Sequence, residues 1–311
     1  MTPAATQHTT ALSCAGAAGS SASIALPRVS IVTPSFNQGA FVERTVRSVL
    51  EQGYPCLEYI VMDGGSTDGT LERLEPYRNH FAHFESRPDG GQSAAVAAGL
   101  DHATGDLMAY LNSDDVLLPG TLSFVAQFFT ENPDVACIYS HRCIIDANDR
   151  VIGHWILPSH SNYLMERWDF IPQETCFWRR ALFEDAGNLD PSFAFAMDYD
   201  LFVRYMRRGR FKRVNRFLAA FRVHEDAKTT RQMATIGRQE IARVRSKYGL
   251  RTMPGGGKLL SLLVRLQSGI YNRLRRRIGG LPPGKGFFLD TVWRRDLDHV
   301  TNSDQTRRMS Q

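Results

Sequence analysis

The sequence predicts an α/β protein: a mostly parallel central sheet flanked by helices, then a mixed half and a C-terminal helical extension. Three observations carry this. Short apolar runs alternate with amphipathic stretches through residues 28–134, as β-α units with right-handed crossovers do. After Val135 that rhythm gives way to closely spaced short apolar runs. The charge is also split: 21 Lys+Arg face three acids (Glu225, Asp226, Glu240) between Leu201 and Gly280, so that segment is +18 and the remainder −13 within a net +5.

The elements follow in order. Val29–Thr33 reads as a first strand stopped by Pro34. Phe41, Val42, Thr45, Val46 and Val49 then fall at helical spacing. Leu57–Met62 is a second strand; Asp63-Gly64-Gly65-Ser66-Thr67-Asp68-Gly69 is a turn, followed by a short helix to about Tyr77. Phe81–Glu85 is a third strand, Ala-rich Ser93–Ala103 a helix, Leu107–Leu111 a fourth strand and Thr121–Asn132 another helix. In the second half, Ala136–Ser140, Cys143–Asp146 and Arg150–Ile156 read as short strands. Gln173–Trp178 reads as a strand leading into a helix, Asp198–Arg208 as a helix and Phe211–Phe221 as extended chain, and this mixed half is expected to continue the sheet of the first.

The composition excludes several classes. No apolar run approaches the roughly 20 residues that span a bilayer. Residues 1–27, rich in Ala, Ser and Thr, lack a basic n-region and an apolar h-region, so a disordered leader is expected there rather than a signal peptide. The five cysteines include no CxxC pair and are odd in number, which predicts reduced, buried thiols and a cytoplasmic setting. The basic segment suits phosphates, but no nucleic-acid motif accompanies it, and no nucleic-acid partner is expected.

Three strand ends carry polar loops: Thr33-Pro34-Ser35-Phe36-Asn37, Asp63-Gly64-Gly65-Ser66 and Asn112-Ser113-Asp114-Asp115. In a parallel sheet such ends share one edge, where ligands bind. Glycines there permit close approach, and carboxylates can hold a cation that in turn holds phosphate. Turn formation and helix capping explain Gly64, Gly65 and Ser66 without a ligand; neither needs a carboxylate at Asp63. Neither GxGxxG nor GxxxxGK[ST] is present, which weighs against dinucleotide-binding and P-loop readings.

Taken together, Val29–Asn37, Asp63–Thr70, Pro88–Gly99 and Gly105–Asp115 resemble the N-terminal half of family-2 glycosyltransferases with a GT-A fold. Phe195–Leu201 with Arg204 resembles that family's Glu-Asp acceptor motif, and Arg222-Val223-His224 its C-terminal His motif. The resemblance divides the chain into a leader (1–27), a nucleotide-binding half (28–134), an acceptor-binding half of the same domain (135–230), a basic helical extension (231–297) and a flexible tail (298–311).

The resemblance implies a metal-dependent, inverting enzyme of the hexosyltransferase class. It would move a sugar from a nucleoside-diphosphate donor, UDP-linked, to an acceptor hydroxyl in polysaccharide or glycolipid assembly. Thr33, Pro34, Ser35, Asn37 and Gly64 would line the nucleotide pocket, Asp63 would bond the base, and Gln92 would lie near the nucleoside or sugar. Asp114 would ligate Mn2+ or Mg2+ on the diphosphate, with His224 approaching the metal or the phosphates. Asp198 would be the catalytic base, Asp200 its rival. Two positions depart from the pattern: Asn112 replaces the first Asp of the DxD motif, and Met197 the Glu of Glu-Asp. They keep open a catalytically silent nucleotide-sugar-binding protein on the same fold. A sugar nucleotidyltransferase is a third reading, though it would carry a basic Gly-rich loop after the first strand.

Leu259, Leu263, Leu266, Ile270 and Leu274 recur at helical spacing beside Arg265, Arg273 and Arg275–Arg277. Such a stretch, residues 258–278, either packs on the domain or lies on an anionic membrane surface, which would place the enzyme at the inner face of the plasma membrane near a lipid-linked acceptor.

Overall fold

The computed structural model describes residues 26–228, 233–251, 262, 265, 266, 269 and 270. The leader up to residue 25, most of the stretch 258–278 and the tail 298–311 lie outside the described residues.

The described chain runs β1 (Val29–Ser35), α1 (Val42–Leu50), β2 (Leu57–Asp63), α2 (Thr70–Leu74), β3 (His83–Ser86), α3 (Gln92–His102), β4 (Leu107–Tyr110), β5 (Val116–Leu117), α4 (Thr121–Glu131), β6 (Cys137–Ile145), β7 (Val151–Trp155), α5 (Asn162–Met165), β8 (Phe177–Arg179), α6 (Arg180–Ala186), α7 (Met197–Met206), β9 (Phe211–Arg222) and α8 (Arg238–Tyr248). The strands form one sheet, ordered β3-β2-β1-β4-β8-β6-β9-β5, with β7 on β6.

Alternation along β1 builds two layers. Val29 and Ile31 face a core with Val42, Val46, Leu122 and Phe129 of α1 and α4. Val32 faces the opposite core, with Val96 of α3 and Phe202 of α7. This period of two needs apolar residues on both sides, which is why β1 reads as a continuous run. The small residues of α3 let it lie close to the sheet; a Cβ on Gly99 would collide with Val32.

The parallel register places Ser35 opposite Asp63, and Asp63 opposite Ser86. Leu111 continues the β1–β4 ladder by donating to the Val32 carbonyl at 2.8 Å. Three strand ends therefore share one edge.

The second half departs from expectation in its pairing. Ala136–Ser140 and Cys143–Asp146 are one bulged strand, β6, that runs parallel to β9. Gln173–Thr175 is a 3-10 turn, and only Phe177–Arg179 enters the sheet. Val116–Leu117 forms an unforeseen short strand on β9. Cys137, Cys143 and Cys176 are free and buried, as expected. Cys56 departs from that expectation, being disulfide-bonded rather than a free thiol.

Candidate functional site

At the edge where the strand ends meet, the loops after β1 and β2 are tied together before any ligand is considered. Asn37 adopts a left-handed φ of 50°. Its amide donates to Ser66 Oγ at 2.8 Å and its Oδ1 accepts from the Thr67 amide at 2.9 Å. Asp63, 3% exposed, closes the second loop. Its Oδ2 accepts from the amides of Gly65 and Ser66 and from Ser86 Oγ, and its Oδ1 from Ser66 Oγ. The carboxylate thus has a turn role that the sequence did not suggest. A cavity of about 270 Å3 adjoins it, lined by Met62, Asp63, Arg87, Asp89 and Ala95 among others.

The predicted lining residues of β1 differ in placement. Thr33 is fully buried with its hydroxyl 3.1 Å from that of Tyr59. It stands behind the edge, within the part of β1 that is buried on both faces. Pro34 is buried in the strand. The Ser35 hydroxyl, 4% exposed, has no hydrogen-bond partner among the described residues. Phe36, not singled out in sequence, is 60% exposed. A Cβ at Gly64 would meet its ring and Asp89 at 3.2 Å, so a larger residue there would press on both side chains. A large aromatic in a strand-end loop was a legible signal.

Beyond β4, residues far apart in sequence converge. His224 Nε2 donates to Asp114 Oδ2 at 3.0 Å across 110 positions. Arg222, almost wholly buried, holds them there: its amide donates to Asp115 Oδ1 at 2.9 Å and its Nε to the Asp114 carbonyl at 2.7 Å. The Phe41 ring packs on both, 4.6 Å from the His224 ring and 4.9 Å from the Arg222 guanidinium. Asp115 is 1% exposed, and burial beside Asp114 and Glu174 pushes its carboxyl well above the usual carboxylate range. It supports the loop, while Asp114 keeps a fifth of its side chain exposed. Gln92, at the start of α3, donates to Asn112 Oδ1 at 2.7 Å.

Across from these lies Asp198, half-buried in the first turn of α7. Its Oδ1 accepts from the Tyr199 amide at 2.8 Å. Burial raises its pKa to about 6, against the lowering effect of those backbone amides. Asp200 is fully buried and bonded to Arg204 at 3.1 Å, Lys247 at 2.9 Å and Tyr248 at 2.9 Å. The rival base is thus committed to the packing of α7 on α8. Beside the cleft, Glu174 forms a two-pronged ion pair with Arg142, at 2.7 and 2.8 Å.

Glu240 of α8 accepts from the amides of Ala194, Phe195 and Ala196 at 2.9, 2.7 and 2.9 Å, pinning the segment that leads into α7. The partners lie more than 40 positions apart, so no local pattern betrays this contact.

The donor set at Asp114 fits a divalent cation. Asp114 is a part-exposed carboxylate and His224 an imidazole, both ligand types, and their present 3.0 Å contact is a hydrogen bond that a cation would have to replace. Among the described residues no cluster of three or more His, Cys, Asp or Glu forms. A cation here would need oxygens from outside the protein, as phosphate-bound Mg2+ commonly does.

The family model for glycosyl transferase family 2 matches residues 30–186. An uncharacterized glycosyltransferase of Mycobacterium tuberculosis strain H37Rv is 30% identical over 184 residues, covering 57% of this chain and 68% of that protein. Chondroitin synthase of Pasteurella multocida is 27% identical over 213 residues, which is 68% of this chain and 22% of the synthase. In fold, the chain is similar to residues 1–349 of S. aureus TarS in complex with UDP-GlcNAc. The TM-score is 0.56 at 20% identity, covering 70% of this chain and 66% of that TarS fragment.

Proposed function

Because the chain belongs to glycosyl transferase family 2, we propose that it is an inverting transferase. It moves a sugar from a nucleoside-diphosphate donor, UDP-linked, to an acceptor hydroxyl. The observation that carries this reading is the half-buried carboxylate of Asp198, raised to about 6, in the turn leading into α7, with Asp200 occupied elsewhere.

On the donor side, the cavity beside Asp63 takes the base, with Phe36 as an exposed ring to stack on it. Ser35, Asn37 and Gly64 shape that wall, and Gln92 reaches the sugar. Asp114 and His224 would hold Mn2+ or Mg2+, which, when bound, neutralises charge developing on the leaving diphosphate. On the acceptor side, the Tyr199 amide occupies Asp198 Oδ1 and leaves Oδ2 for the incoming hydroxyl. Asp198 takes the hydroxyl proton as that oxygen attacks the anomeric carbon. One base opposite the leaving group implies a single displacement and inversion, by the geometry known from inverting hydrolases.

The match to chondroitin synthase supports a saccharide acceptor in polysaccharide assembly. Leu262, Leu266 and Ile270 are each more than half exposed. With Arg265 among them, they support contact of residues 258–278 with an anionic membrane surface. No helix among the described residues is long and apolar enough to cross a membrane.

The test is a thermal-shift screen of nucleotide sugars with Mn2+, followed by NMR of the product's anomeric proton with the stabilising donor. A donor-dependent rise in Tm and an inverted linkage are expected. A retained configuration would remove Asp198 from its role.

A further inference from the structure

The reaction above makes no use of Lys228. Its ammonium donates to Gln92 Oε1 at 2.9 Å. Gln92 Nε2 donates to Asn112 Oδ1 at 2.7 Å, Asn112 Nδ2 to Gln173 Oε1 at 3.2 Å, and Gln173 Nε2 to the Tyr110 carbonyl at 2.5 Å. This relay crosses the cleft from the segment after His224 to the strand that leads to Asp114. Each amide accepts on one side and donates on the other. An aspartate at position 112 could accept from Gln92 but, ionised, could not donate to Gln173. Asn112 therefore suits the relay as an ionised aspartate would not.

The charge balance changes with it. Among the described residues, the hydrogen-bond partner of Lys228 is a neutral amide, and no carboxylate is bonded to it. Burial lowers its pKa, with Glu240 and Asp198 opposing from nearby. A part-buried ammonium short of bonded counter-charge gains when an anion arrives. Asn112 acts in the same direction, since one carboxylate fewer repels a diphosphate and one fewer is offered to a metal.

We propose that Lys228 binds the donor's diphosphate and that, with Asn112 in place of a carboxylate, it gives the cleft affinity for nucleoside diphosphates without a divalent cation. This rests on the nucleotide-sugar reading. The flexible four-carbon stem lets the ammonium turn from Gln92 toward the Asp114 loop. The diphosphate charge would then be shared between a protein cation and the metal.

The experiment is titration calorimetry of UDP and GDP against the full chain, in EDTA and in Mn2+. Wild type should bind one of the two diphosphates in EDTA. Lys228→Gln should weaken that metal-free binding about tenfold, the loss of one charge-assisted hydrogen bond, while Lys228→Arg keeps it. Asn112→Asp should lower metal-free affinity and steepen the dependence on Mn2+. Unchanged metal-free affinity in Lys228→Gln overturns the proposal, as does wild-type binding that disappears in EDTA. If neither diphosphate binds even with Mn2+, the donor reading falls together with it.

Discussion

Helix α7 has a cleft side and an α8 side, and each holds an aspartate. Asp200, on the α8 side, has three side-chain partners and no exposure. Asp198, two residues earlier, bonds the amide of its neighbour, and burial leaves its carboxylate poorly stabilised, with a pKa near 6. Both are acids at a helix N-terminus, where negative charge is favoured. What separates them is saturation: one carboxylate has spent its acceptors on structure, and the other has kept capacity for a proton.

The sharpest way to break this contrast is Asp198→Asn. Its kcat should fall by about a hundredfold to ten-thousandfold, the range for losing a general base, while donor affinity by calorimetry stays intact. In wild type, kcat should decline as pH falls through about 6, because protonation removes the base. Any activity left in the variant should lack that limb. Substantial turnover in Asp198→Asn would move the base elsewhere.

Asp200→Ala should do the reverse. Removing it takes one partner from Arg204, which keeps the carbonyls of Ala186, Gly187 and Asn188, and one from Lys247, which keeps Asp190. The cost should be about 2 kcal/mol, read from urea unfolding, while kcat per folded molecule changes less than about threefold. A large loss of kcat at full stability would erase the distinction between the two sides. Glu240→Gln is the mildest change. It weakens the three bonds that fix the entry to α7, costing about 1 kcal/mol. Its acid limb should stay near that of wild type, since the base itself is unaltered.

The same contrast explains what was legible in the sequence. The parallel half was read nearly to the residue because each strand and helix there follows from a local apolar period, as at Val29–Ser35 and Leu57–Asp63. The convergence of Asp114 with His224 was expected from motif order, and the structure brings them together. Asp63 was legible as a polar strand end, but its three bonds within the turn and the fourth from Ser86 of β3 were not. Glu240, Lys228 and the β6–β9 pairing were invisible, because each depends on partners dozens of positions away and on a bulged register with no sequence period.

The position of β9 has a consequence for how the protein comes into being. It enters between β6 and β5, and it delivers Arg222 to Asp115 and His224 to Asp114. Synthesis makes the three donor-edge loops first, then Asp198, then β9. A nascent chain released as far as β8 has the strand ends but neither base nor imidazole. On the proposed nucleotide-sugar reading, the phosphate end of the donor site would be complete only when the last strand docks, and nucleotide binding by a refolding chain would time the closing of the sheet rather than its nucleation.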